Sequence, residues 1–258
     1  MSKSVWITMI KKDETQARAI YTTVAKYGLG VEGHFWKDDL ENMEWSGAVP
    51  EIVKSQTGLW LIVGDAEDFS PSVLQGLSLT ALTVLAQKGG QIPVMVLADD
   101  PDAVTALLPA PLAMAQVFAP DNPALGAKMT AKANLPLKTV ASDYRLNIYA
   151  LPRVGLWLEA GPAAGDWNGI IVGAAGAGID ALGVGPAGDI PQHSTLEYPL
   201  RDMKLSLGDR EFTAWAVRNN LTQNDAVYVK IKGNPEALIF GPFDPDAEAL
   251  DVYTLPLC

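Results

Sequence analysis

The chain has 258 residues and 27.5 kDa, with 48% hydrophobic and 19% charged residues, which excludes a disordered protein and suffices for one large or two ordinary domains. Its 19 Lys and Arg against 30 Asp and Glu give a formal charge of −11 and a pI near 4.6. Such a surface repels polyphosphate and anionic lipid, so nucleic-acid and membrane partners are not expected.

In chain order, Val5 to Ile10 is a short apolar, β-rich run of the kind that forms a buried parallel strand. Asp13 to Tyr27 follows with Ala17, Ile20, Tyr21 and Val24 on one helical face, Asp13 as N-cap and Gly28 as the stop. Next come a strand at Val31 to Trp36, a polar stretch from Lys37 to Trp45, and a helix around Ala48 to Lys54. Leu59 to Val63 is the clearest strand. Val73 to Lys88 reads as a helix buried on most sides, closed by Gly89 and Gly90. Ile92 to Leu97 is another buried strand, Asp102 to Leu108 a short helix, and Ala115 to Phe118 a weak fifth strand. Strands alternating with helices at this spacing mean right-handed βαβ crossovers and an α/β fold with a parallel sheet. Five strands suit the flavodoxin-like order 2-1-3-4-5, whereas a closed barrel needs about eight.

Beyond Pro120 the texture changes. Pro120, Pro123 and Pro136 surround an alanine-rich segment, read as a linker over residues 121–142 between an α/β domain at 1–120 and a second domain at 143–258. The second domain is expected to be antiparallel and β-rich, a sandwich or partial barrel. Its strands are predicted at Val154 to Leu158, Gly169 to Val172, Met203 to Leu207, Glu211 to Val217, Ala226 to Ile231 and Ala237 to Phe240. Leu207-Gly-Asp-Arg-Glu211 fits a tight hairpin.

The catalytic inventory is sparse. Cys258 is the only cysteine, which rules out an intrachain disulfide and a thiolate zinc cluster. His34 and His193 stand far apart, without metal-ligand spacing, and each reads as a packed or surface residue. No metal and no resident cofactor is expected. Gly173-Ala-Ala-Gly-Ala-Gly178 after a strand invites a phosphate-loop reading, but its spacing is not the dinucleotide fingerprint and no amphipathic helix follows, so close sheet packing or a flexible hairpin is expected. Asp13, Glu14 and Asp65 follow strand ends as the acids of a phosphorylatable receiver domain do. The hydroxyl and lysine that a receiver needs are replaced by Ala98 and Ala119, so these acids read as solvated loop residues. The first apolar run, Val5 to Ile10, is shorter than a signal-peptide core, and no stretch is long and apolar enough to span a bilayer, so a soluble cytoplasmic protein is expected.

A set of motifs from Val5 to Ala98 resembles a Toll/interleukin-1 receptor (TIR) domain. These are Val5-Trp-Ile-Thr, Lys12-Asp-Glu, Tyr27-Gly-Leu-Gly-Val31, Phe35-Trp-Lys-Asp-Asp-Leu40, Trp45, Lys54-Ser55 and Leu59-Trp-Leu-Ile-Val63. The landmarks Ser70-Pro-Ser72 and Ile92-Pro-Val94 follow. The resemblance implies a signalling fold and, in its enzymes, NAD cleavage by a glutamate on the helix before the Ile-Pro-Val strand. The corresponding place here is Gln75-Gly-Leu-Ser-Leu79, and the segment Ser70 to Gln87 contains no acid. Losing such electrostatic stabilisation typically costs on the order of 10²–10³ in rate. Glu67 and Asp68 in the preceding loop are the only nearby substitutes.

Two functional expectations follow. The first is a module without NAD-cleaving activity that self-associates or binds a protein partner through the loop from Trp36 to Trp45. There the two tryptophans would be anchors, and Lys37, Asp38, Asp39 and Glu41 a charged rim, the alternative reading being that both tryptophans are core. The second is a sensor for NAD or a related nucleotide, or an NAD-cleaving enzyme with a non-standard acid. Its crevice would be formed by Lys11, Lys12, Asp13, Phe35, Trp36 and Asp65, with lysine on phosphate and an aromatic ring on the base. In the β-rich domain, Trp157, Trp167 and Trp215 read as core.

Overall fold

The computed structural model describes residues 2–139, 141–246 and 251–258. Met1, Val140 in the predicted linker, and residues 247–250 in the second predicted domain lie outside the described residues. The chain divides into two units, Met1–Val140 and Ala141–Leu257, each with sheets of its own.

The first unit is built from β1 (Ser4–Met9), α1 (Glu14–Lys26), β2 (Gly30–Phe35), α2 (Val49–Ile52), β3 (Thr57–Val63), α3 (Pro71–Lys88), β4 (Val94–Leu97), α4 (Pro101–Leu107), β5 (Gln116–Phe118) and α5 (Leu125–Ala133). All five strands are parallel, in the flavodoxin-like order β2-β1-β3-β4-β5. Every residue of β3 is buried, because a central strand covered on both faces has no polar side to show. Burying each large apolar side chain such as Leu59, Leu61 or Ile62 contributes about 1.5–3 kcal/mol.

One face of the sheet presents Val5, Ile7, Met9, Leu59, Leu61, Val63, Met95 and Leu97 to Ile20 and Val24 of α1 and to Leu125, Met129 and Ala133 of α5. Asp13 caps α1 by accepting from the backbone N–H of Thr15 and Gln16, both at 2.9 Å, and Gly28 leaves the helix at φ 75°. The other face carries Trp6, Thr8, Trp60 and Ile62. On this side α3 is buried nearly all round from Val73 to Val84.

The span read as a linker is corrected here, since it contains α5, whose three buried side chains belong to the core of the first unit. Its C-terminal end lies directly on β3: a Cβ at Gly58 would stand 2.1 Å from the carbonyl oxygen of Ala133, so only glycine permits this approach. The predicted helix at Ala48 to Lys54 is a 3-10 turn, Glu44–Ala48, running into the single turn of α2.

The second unit is an antiparallel β structure of two sheets. One has β10 (Leu200–Leu207), β11 (Arg210–Val217), β8 (Ile170–Ala175), β13 (Ala237–Pro242) and β14 (Tyr253–Pro256) in that order. The other has β6 (Tyr144–Leu151), β7 (Gly155–Pro162), β12 (Asp225–Lys232) and β9 (Gly178–Pro186). The hairpin around Gly208 joins β10 and β11 with Leu207 opposite Arg210. The glycine run at 173–178 ends β8 and opens β9, strands of different sheets, so the chain crosses there and no helix follows. Trp215 and Trp167 are buried, as the core reading requires, whereas Trp157 on β7 is only partly buried.

Candidate functional site

In an open parallel sheet the ligand crevice lies beyond the carboxyl ends of the strands where the strand order reverses, here between β1 and β3. A polar cleft of about 140 Å³ occupies that place, lined by Lys11, Asp13, Gln16, Gly64, Asp65 and Asp68. Its acids are tied to backbone. Asp13 caps α1, the Asp65 carboxylate accepts from the Asp99 N–H at 2.8 Å, and the Asp68 carboxylate accepts from the Asp65 N–H at 2.9 Å. Three carboxylates against one ammonium make an unfavourable seat for a phosphate, and the volume is well below the roughly 300 Å³ at which small-molecule pockets begin.

The six residues expected to form one crevice are divided among three places. Lys11, Asp13 and Asp65 share the polar cleft. The Lys12 ammonium sits 5.7 Å from the centre of the Phe35 ring, a cation–π contact at the edge of the sheet. Trp36 turns inward and is buried.

The loop after β2 closes onto α3 rather than presenting a charged rim around aromatic anchors. Trp36 and Trp45 are 9% and 2% exposed, so both are core side chains and neither is an interface anchor. The indole of Trp36 fills the space left by Gly76 of α3, where a Cβ would stand 2.7 Å from Cζ2 of the ring. Ser70 caps α3, and its hydroxyl lies 2.9 Å from that of Ser72, which donates to Asp38 at 2.6 Å. Asp38 thereby holds the loop to the positive end of the helix. Asp39 accepts from the N–H and the side-chain amide of Asn42, which hold its carboxyl below the ordinary range, and Lys37 pairs with Glu44 at 2.7 Å.

Beneath this loop lies a buried relay that sequence reasoning did not find. Thr8 Oγ1 accepts from Trp60 Nε1 at 2.9 Å and lies 3.1 Å from His34 Nε2. The Thr8 hydroxyl and Nε2 share that hydrogen bond, its direction set by the imidazole tautomer, and Nδ1 is the ring nitrogen that Thr8 leaves free to meet another group. Trp6 and Trp36 flank the imidazole at 5.6 and 6.2 Å between ring centres, and burial pushes its pKa below the ordinary value. The signal was the strand register: Thr8 and His34 are opposite one another in β1 and β2, and Trp6 pairs with Trp60 in β3.

No protein-family model matches the chain. No curated protein matches it at a significant level. Among the described residues no cluster of His, Cys, Asp and Glu is placed to hold a metal ion, and no helix is long and apolar enough to cross a membrane.

Proposed function

We propose that the N-terminal unit is a TIR-like protein-interaction module that acts by self-association or by binding a protein partner, without splitting NAD. The observation that carries this reading is the contact between Trp36 and Gly76. Where the resemblance puts a helix-borne glutamate, α3 has buried Gln75 and then Gly76, and a tryptophan ring occupies the space in front of it. A ribose seat needs both the acid and room for the sugar, and neither is supplied. The two loop acids do not replace it. Glu67 points into solvent, and Asp68 is engaged with the backbone of Asp65. The five-stranded parallel sheet supports the fold half of the reading.

The test is nicotinamide release from NAD by the purified protein, over a concentration range reaching any assembled state. The expected result is release no faster than in buffer. Release that disappears in Glu67→Ala would overturn the proposal and make the loop acid catalytic.

A further inference from the structure

Among the described residues the sheet of the first unit ends at β2, a strand paired only with β1. Gly30 N–H donates to Lys3 and Trp36 N–H to Met9 across that pair, so even-numbered residues of β2 bond inward and the N–H and C=O groups of Val31, Gly33 and Phe35 face outward. An unpaired edge of this kind is a template for another strand. Beside it lies an apolar groove of about 240 Å³, between β2 and α1, lined by Ile7, Met9, Ala17, Tyr21 and Phe35 around side-chain-free Gly33. Tyr21 and Phe35 are 56% and 37% exposed.

We infer that β2 is the self-association surface of this chain, pairing antiparallel with β2 of a second copy about a two-fold axis through Gly33. The inference rests on reading the unit as an interaction module, and the sequence of the strand selects both occupant and register. Only odd residues face outward, so the axis must pass a register that sets odd opposite odd. Centring on residue 33 sets Val31 opposite Phe35 of the second copy on the groove side, bringing each Phe35 to the rim of the other copy's groove. It also sets Glu32 opposite His34 of the second copy, twice, at the closely spaced non-hydrogen-bonded positions. With Nε2 taken by Thr8, Nδ1 is the ring nitrogen left to meet that carboxylate, which it does as a donor in the tautomer protonated there. Shifting the axis by one residue toward the N-terminus sets Glu32 against Glu32, which like-charge repulsion disfavours. Shifting it the other way sets His34 against His34 and leaves Glu32 opposite a buried tryptophan.

Sedimentation velocity of the full chain, from about 1 to 200 μM, tests this alongside two variants. Val31→Pro removes an outward N–H that β1 does not use and places a ring in the path of a pairing strand. Glu32→Lys leaves the backbone free and sets a cation opposite His34 of the second copy. The expected result is a concentration-dependent dimer that Val31→Pro abolishes and Glu32→Lys weakens about tenfold or more, with unchanged far-UV circular dichroism. If Val31→Pro does not fold, Glu32→Lys alone decides. A wild-type protein that stays monomeric overturns the inference, as does a dimer that neither variant weakens. Neither result touches the proposed lack of NAD cleavage, which the nicotinamide assay decides separately.

Discussion

Thr8 shows how much a single hydroxyl can hold. It is fully buried, accepts the indole N–H of fully buried Trp60 and shares a hydrogen bond with His34, so removing it strands two polar groups at once. Thr8→Val keeps shape and volume, and is expected to cost about 1–3 kcal/mol in urea unfolding. His34 adds a pH dependence whose sign follows from its depressed pKa. Above the ordinary value near 6.5 both folded and unfolded chains carry a neutral ring. As pH falls through that value the unfolded chain takes up a proton that the folded chain refuses, and stability is lost. The thermal midpoint is therefore expected to fall between pH 7.5 and about pH 5.5, and His34→Gln should flatten that part of the profile. A profile unchanged by the substitution would place the responsible group elsewhere.

At the scale of elements, the contact between the β2–α2 loop and α3 can be isolated by a pair of substitutions. Gly76→Ala gains up to about 1 kcal/mol of helix propensity but drives a methyl into the Trp36 ring, and overpacking of this kind costs about 1–3 kcal/mol. The substitution should be destabilising in the native background and neutral or stabilising beside Trp36→Leu, with denaturant unfolding of the four proteins giving the coupling. The same contact explains what the sequence could and could not tell. Strands such as Leu59 to Val63 were legible because a strand buried on both faces is an unbroken apolar run. Trp36 and Trp45 were not, since an aromatic residue in a charged loop reads alike whether it turns out as an anchor or in as core, and the deciding glycine lies far along the chain. α5 escaped because only Leu125, Met129 and Ala133 mark its buried side, among alanine, lysine and flanking prolines that read as a linker. β9 escaped because its glycines leave no alternation to follow, and β6 because its positions are mostly half-buried. For the candidate site, Lys11, Asp13 and Asp65 were legible as strand-end residues, whereas the bond between Thr8 and His34 depends on a register that no local pattern encodes.

For the whole molecule, charge sets the conditions under which copies can meet. Each chain carries −11, so two copies repel, and the screening length shrinks from about 30 Å at 0.01 M salt to about 8 Å at 0.15 M. Pairing along β2, driven by backbone bonds, apolar contact and a short-range contact between carboxylate and imidazole, is expected to tighten severalfold over that range, as sedimentation at the two salt concentrations would register. Association that weakens on adding salt would mean that attraction between charges, rather than the strand edge, holds the copies together.

The seating of α5 on Gly58 also sets a schedule for biosynthesis. β1 and β3 leave the ribosome early, yet the helix that completes their apolar face ends only at Ala133. At ordinary elongation rates that face waits on the order of ten seconds for its cover. During that interval the nascent chain exposes Leu59, Leu61 and Val63 together, and a holding chaperone would find its binding site there rather than on the finished protein.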